Sequence, residues 1–168
     1  MKKYDYIIGI DPDVDKSGCA FLETKTKRLE TTSLTFPLLL DYLIQEKKNA
    51  EQCETSIIVI VEAGWLNKSN WHLRNNDGKR VAAAKGNSTG RNHEVGRKII
   101  ECAKHYGFEV FEQRPLKKAW KGKDGKITHE ELQYFTGIMG QTNQESRDAA
   151  LIAWNHAGLP IRINLKNQ

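Results

Sequence analysis

The stretch from Ile7 to Phe21, "IIGIDPDVDKSGCAF", decides how this chain folds: an apolar run ends on a carboxylate, Asp11, passes through a polar turn and resumes as apolar alternation. Tyr6 to Ile10 is uninterrupted and of buried-strand length, while Gly18 to Glu23 and Leu29 to Thr35 alternate on either side of the polar "TKTKR" turn. These three strands are expected to form an antiparallel meander. A fourth run, "SIIVIVE" from Ser56 to Glu62, has no polar interruption, which marks a strand covered on both faces. It too ends on a carboxylate, Glu62.

Helical periodicity fills the gaps. "FPLLLDYLIQEKKNA" begins with Pro37 in a first turn and continues through Leu39, Tyr42 and Leu43 into charge. A stretch rich in Gly, Asn and Lys reads as a loop to about Asn87, followed by a helix with Val95, Ile99, Cys102, Ala103 and Tyr106 on one stripe and Gly107 at its end. "FEVFEQ" is a short strand. Thr128 and Glu131 have the T-x-x-E spacing of a capping box ahead of Leu132, Phe135, Ile138 and Met139, with Gly140 expected to close that helix. "QESRDAALIAWNHAG" is the last helix. The order of three strands, helix, strand, helix, strand, helix, helix predicts an α/β layered architecture with a mixed sheet.

With 168 residues and 39% hydrophobic content the chain has the material for one ordinary core, so a single domain over 1–168 is expected. No apolar run approaches the roughly 20 residues of a membrane span, and "MKKYDYIIGID" lacks the features of a secretory leader, which points to a cytoplasmic protein without a membrane partner. Cys19, Cys53 and Cys102 show no paired spacing and read as reduced, mostly buried thiols. His72, His93, His105, His129 and His156 show no zinc spacing, and only His93 is a remote candidate for proton transfer.

Charge is placed unevenly. Between Ala63 and Lys98 eight basic residues face two acids, and "RPLKKAWKGKDGK" sets Arg114, Lys117, Lys118, Lys121, Lys123 and Lys126 around Trp120. Such segments suit a polyanion, because cationic side chains attract phosphates and an aromatic stacks on unpaired bases. Nucleic acid is therefore the expected partner, with Arg114, Lys117, Lys118, Trp120 and Lys121 as its binding residues.

The acids complete the reading. Asp11 and Glu62 come to lie side by side if the first and fourth strands are neighbours, and Glu145 and Asp148, three apart on a helix, share a face. Four carboxylates gathered together repel strongly unless cations neutralise them, and hard divalent ions such as Mg²⁺ or Mn²⁺ prefer oxygen ligands.

"IIGIDPDVDKSGCAF", "IIVIVEAG" and "QESRDAALIAW", in this order and spacing, resemble the RuvC-like Holliday-junction resolvases of the RNase H-like superfamily, as does "RPLKKAWKGKDGKITHEEL" with its proline, basic residues and glycine. The resemblance spans Tyr6 to Trp154. It implies an RNase H-like mixed five-stranded sheet flanked by helices, with Asp11, Glu62, Glu145 and Asp148 as both catalytic residues and metal ligands. It also implies a homodimer that cuts branched DNA at paired sites. Two ions about 3.5–4 Å apart would then straddle the scissile phosphate and leave a 5′ phosphate. Two positions depart from the family's habit: Asp13 stands where Gly usually follows Asp-Pro, and Glu145 where Asp or His is usual. Asp13 is expected either to add a carboxylate to the site or to cap the turn. A related nuclease acting on RNA or an RNA–DNA hybrid, and a catalytically silent nucleic-acid-binding module, share the fold and are the alternatives.

Overall fold

In the computed structural model, which describes residues 3–67, 78–117 and 119–161, five strands form one sheet in the order β3-β2-β1-β4-β5. These are β1 (Tyr6–Asp11), β2 (Ser17–Glu23), β3 (Arg28–Leu34), β4 (Ile57–Glu62) and β5 (Glu109–Gln113). β2 runs antiparallel to β1 and to β3, and β4 runs parallel to both β1 and β5. The meander expected from the sequence is therefore present. The order, with β2 the one reversed strand, is the mixed five-stranded sheet flanked by helices that was expected. Four α-helices among the described residues flank the sheet: α1 (Phe36–Gln52), α2 (Lys79–His105), α3 (His129–Thr136) and α4 (Gln144–His156).

Strand alternation divides the core in two. Ile7, Ala20, Leu22, Ile58 and Ile60 pack with Ala149, Ala150, Ile152 and Ala153 of α4, while Ile8, Ile10, Val59 and Val61 pack with Leu39 and Leu43 of α1 and Ile99 and Ala103 of α2. β1 and β4 are thus covered on both faces, the reason their sequences carry no polar interruption. On the α4 side the fit is backbone to backbone. A Cβ on Gly9 would lie 2.4 Å from the Ala149 carbonyl oxygen, so the small residues of both elements let the helix settle onto the strand.

Two boundaries differ from the sequence reading. α2 starts at Lys79, within the stretch read as loop to Asn87. α3 closes after Thr136 on Gly137, in the left-handed conformation (φ 70°), instead of running to Gly140. The chain must turn there because Ile138 folds back into the core and is 4% exposed, whereas Met139 stands out in solvent. The stripe on α2 packs on the chain's own sheet, with Ile99 and Ala103 buried and Val95 and Tyr106 half-buried against the same core. Cys19 is buried but Cys53 is exposed, so the thiols are not uniformly interior. Among the described residues no helix is long and apolar enough to cross a membrane.

Candidate active site

Parity along the strands explains why acids terminate them. Ile7 and Gly9 face α4, so Asp11, two further on, falls on the same side; Ile58 and Ile60 face α4, and so does Glu62. β1 and β4 are in parallel register with Ile10 opposite Val61, which brings the next residues, Asp11 and Glu62, out at one end of the sheet. α4 supplies the rest from above. Asp11 pairs across the sheet with Gly18, where a Cβ would sit 2.0 Å from the Glu145 carbonyl oxygen, so only glycine lets the first turn of α4 lie on β2 beside Asp11.

Local hydrogen bonds hold that turn in place. Asn143 caps α4 by accepting from the Ser146 N–H (2.9 Å), the Ser146 hydroxyl accepts from the Asn143 N–H (3.1 Å), and the Asn143 amide donates to the Ser33 hydroxyl on β3 (2.7 Å). Arg147 donates to the carbonyls of Ile127 (3.0 Å) and Thr142 (2.8 Å), tying the helix to the segments before and after α3. Gln144 donates to Asp148 Oδ1 (2.8 Å), and the Lys126 ammonium lies 3.6 Å from Asp148 Oδ2. Lys126 is thereby lifted out of the basic segment and into the acidic site. It belongs to the basic segment in sequence but is not among the five expected nucleic-acid ligands, and its place is beside Asp148.

The other three carboxylates all act on Asp11. Burial pushes the Asp11 carboxyl well above the usual carboxylate range, and Glu62, Asp148 and, most weakly, Glu145 push it the same way, with Lys126 opposing them. Glu145 has the smallest influence of the three acids. Among the described residues no three carboxylate, imidazole or thiolate side chains gather into a single coordination sphere. The donor set is nevertheless all oxygen, with more negative charge than one ammonium offsets, and this fits a hard divalent cation.

The turn after Asp11 is locked separately. Asp13 Oδ1 accepts from the Asp15 N–H (2.9 Å), Asp13 Oδ2 accepts from the Asn92 amide of α2 (3.0 Å), and the Asp13 N–H donates to buried Ser17 (3.1 Å). Asn92 also accepts from the Val14 N–H (3.3 Å). Asp13 therefore serves as the turn cap. One helical turn further on, Gly96 makes room for Pro12 and Trp65, whose indole donates to Glu112 (3.2 Å), and His93 packs on Gly64 and edge-on to Trp65. The middle of α2 thus braces the segments after both Asp11 and Glu62. Nothing in the sequence pattern singled out Asn92.

Of the expected nucleic-acid ligands, Arg114, Lys117 and Lys121 are exposed, and the Lys121 N–H donates to Glu131 (3.1 Å), fixing this loop to α3. Lys118 lies outside the described residues. Trp120 is half-buried and stacks on Phe135 (centroids 6.0 Å apart), so its ring is engaged by the core and does not stand free as a platform.

Two solved structures are similar to this one in fold. Thermus thermophilus RuvC is 18% identical, with 90% of this chain and 93% of that chain covered at a TM-score of 0.46. T. thermophilus RuvC in complex with a Holliday junction substrate is 16% identical, with 90% and 92% covered at a TM-score of 0.45. The likeness is one of fold. No protein-family model and no curated protein matches the sequence.

The raised Asp11 carboxyl gives a pH dependence whose sign is fixed. Asp11 holds its proton more tightly folded than unfolded, so above the unfolded midpoint of about 3.9 stability falls as pH rises through the folded midpoint. His156, which burial pushes down, acts oppositely below about 6.5 and loses stability as pH falls. Asp11→Asn separates the two. In chelator the variant should melt together with wild type near pH 4 and above it by a margin that grows as pH rises through the folded midpoint of Asp11. A margin independent of pH in thermal melts would refute the assignment.

Proposed function

We propose that the chain is a divalent-metal-dependent endonuclease that hydrolyses phosphodiester bonds in branched DNA, the four-way junction first among them. The observation that carries this is the convergence on Asp11 of Glu62, Asp148 and Glu145 from β4 and α4, with an exposed basic loop beside them. Asp11, Glu62 and Asp148 would hold the metal, with Glu145 a weaker contributor. Mg²⁺ or Mn²⁺, two ions if both positions fill, would supply positive charge for the scissile phosphate and for acidifying water, the chemistry of a hydrolysis that yields 5′-phosphate ends. The chain's own groups do the remainder. Gln144 orients Asp148, Lys126 offers an ammonium at the edge of the site where negative charge accumulates, and Arg114, Lys117 and Lys121 hold the strand by its backbone. Pairing two such chains about a two-fold axis would present two sites to the opposed strands of one junction, so a cytoplasmic homodimer of single nuclease domains is part of the proposal.

The test is a substrate panel of four-way junction, linear duplex, flap and RNA–DNA hybrid, each with Mg²⁺, Mn²⁺ or EDTA. Cutting of the junction with either ion and none in EDTA is expected. Undiminished cutting in chelator, or none on any substrate, overturns the proposal. Preference for the hybrid overturns the DNA assignment and leaves the metal chemistry standing.

A further inference from the structure

α2 has two unlike halves. Its buried residues, Gly96, Ile99, Ile100 and Ala103, all lie beyond its midpoint. The outward half, Lys79 to Arg91, has no buried residue; Val81 is 48% exposed, and among the described residues nothing lies within 4 Å of where a Cβ would stand on Gly86 or Gly90. Its sequence is also locally unsuited to a helix. Gly86 and Gly90 each cost about 1 kcal/mol relative to Ala. Lys79 and Arg80 sit at the positive end of the helix dipole with no acid in the first turn, and Gly78 gives no side-chain cap. Propensity does not account for this half and it does not pack on the sheet core, so its exposed face is open to a partner.

Its charge identifies the partner. From Gly78 to His93 three exposed cations, Lys79, Arg80 and Arg91, stand with no acid among them. A second copy of this surface would be repelled, whereas phosphates would be attracted. The small residues Ala82, Gly86 and Gly90, spaced by four, leave one side of the helix low enough for a sugar-phosphate backbone to approach. At 1.5 Å per residue the segment from Asn92, braced on the turn after Asp11, out to Lys79 spans about 20 Å, which is about six steps of a strand at 3.4 Å each.

We infer that the outward half of α2 is the docking surface for the backbone of a duplex arm leading to the cleavage site. The inference rests on the nuclease reading and adds where the uncut part of the substrate is held. Two variants of the full chain test it, with binding of a fluorescent four-way junction measured in EDTA over about 50–200 mM salt. Lys79→Ala/Arg80→Ala/Arg91→Ala should weaken binding at least tenfold, and the slope of log affinity against log salt should become shallower by about 0.9 for each phosphate no longer neutralised. Lys25→Ala/Lys48→Ala/Lys104→Ala, which removes as many exposed cations at the other end of the sheet, should change neither. Gly86→Gln/Gly90→Gln keeps the charge and improves helix propensity, so it should raise or preserve the melting temperature yet weaken binding severalfold. A purely structural arm gives the first of those effects without the second. Unchanged affinity and slope in both test variants, beside a wild type that binds tightly, overturns this inference alone. A wild type without affinity for nucleic acid overturns it together with the nuclease reading. Variants whose main defect is lost self-association in sedimentation make the surface an interface between copies and also overturn it.

Discussion

Asp11→Asn and Asp148→Asn should each lower metal-dependent cleavage on the order of 10²–10³-fold while leaving the protein folded and no less stable than wild type. The two readouts move in opposite directions for one reason. Asp11 is half-buried among three other carboxylates with Lys126 as the opposing charge, so the metal-free fold carries a repulsion that substitution by an amide of the same shape relieves. Asp148 is bound by Gln144 and faces Lys126, so its removal relieves less and its variant should gain less in melting temperature. Junction binding in chelator should be retained or tightened in both. Glu145→Gln should be milder, matching its weakest influence on Asp11. Asp13→Asn should be milder still, since the carboxylate is spent on the Asp15 N–H and the Asn92 amide. Quantitative cleavage assays beside thermal melts check all four. Near-normal turnover in folded Asp11→Asn and Asp148→Asn would place the chemistry elsewhere.

The other large effect is expected from Gly18→Ala, a single methyl group. The new Cβ would stand 2.0 Å from the Glu145 carbonyl oxygen and 2.3 Å from its carbon. Both are backbone atoms of a helical turn capped by Asn143 and tied through Ser33 and Arg147, so neither yields as a flexible side chain does. Relief requires α4 to lift from β2, and overpacking of this kind costs about 1–3 kcal/mol. Glu145 and Asp148 move away with the helix, so metal affinity should drop along with the denaturant midpoint. Gly86→Ala, where nothing among the described residues stands in the way, should stabilise. Equal midpoints for Gly18→Ala and wild type, with metal affinity intact, would show that this close approach does not set the site.

Much of this was legible because strands β1 and β4 must be apolar on both faces, which leaves a terminal Asp or Glu conspicuous. Their adjacency depended on the first and fourth strands being neighbours, which the parallel pairing of β1 with β4 satisfies, and the Thr128–Glu131 capping box is formed as the spacing indicates, with the Thr128 hydroxyl accepting from the Glu131 N–H. What escaped was set by tertiary packing. Gly137 and Gly140 both adopt positive φ (70° and 90°), and only the burial of Ile138 selects the first as the end of α3. The start of α2 at Lys79 contradicts local propensity, so no reading of Gly86, Ser88, Thr89 and Gly90 yields a helix. Trp120 was expected as a platform for bases, and nothing in the sequence set Lys126 apart from its basic neighbours. Stacking on Phe135 claims the first, and the second lies 3.6 Å from Asp148.

The most direct measurement of the central claim is a calorimetric titration of Mn²⁺ into the metal-free protein at neutral pH, run on wild type, Asp11→Asn and Asp148→Asn. Two ions bound per chain in wild type, with at least one lost in each variant, is the predicted result. Absence of binding up to millimolar Mn²⁺, or the same stoichiometry and affinity in all three proteins, would contradict it.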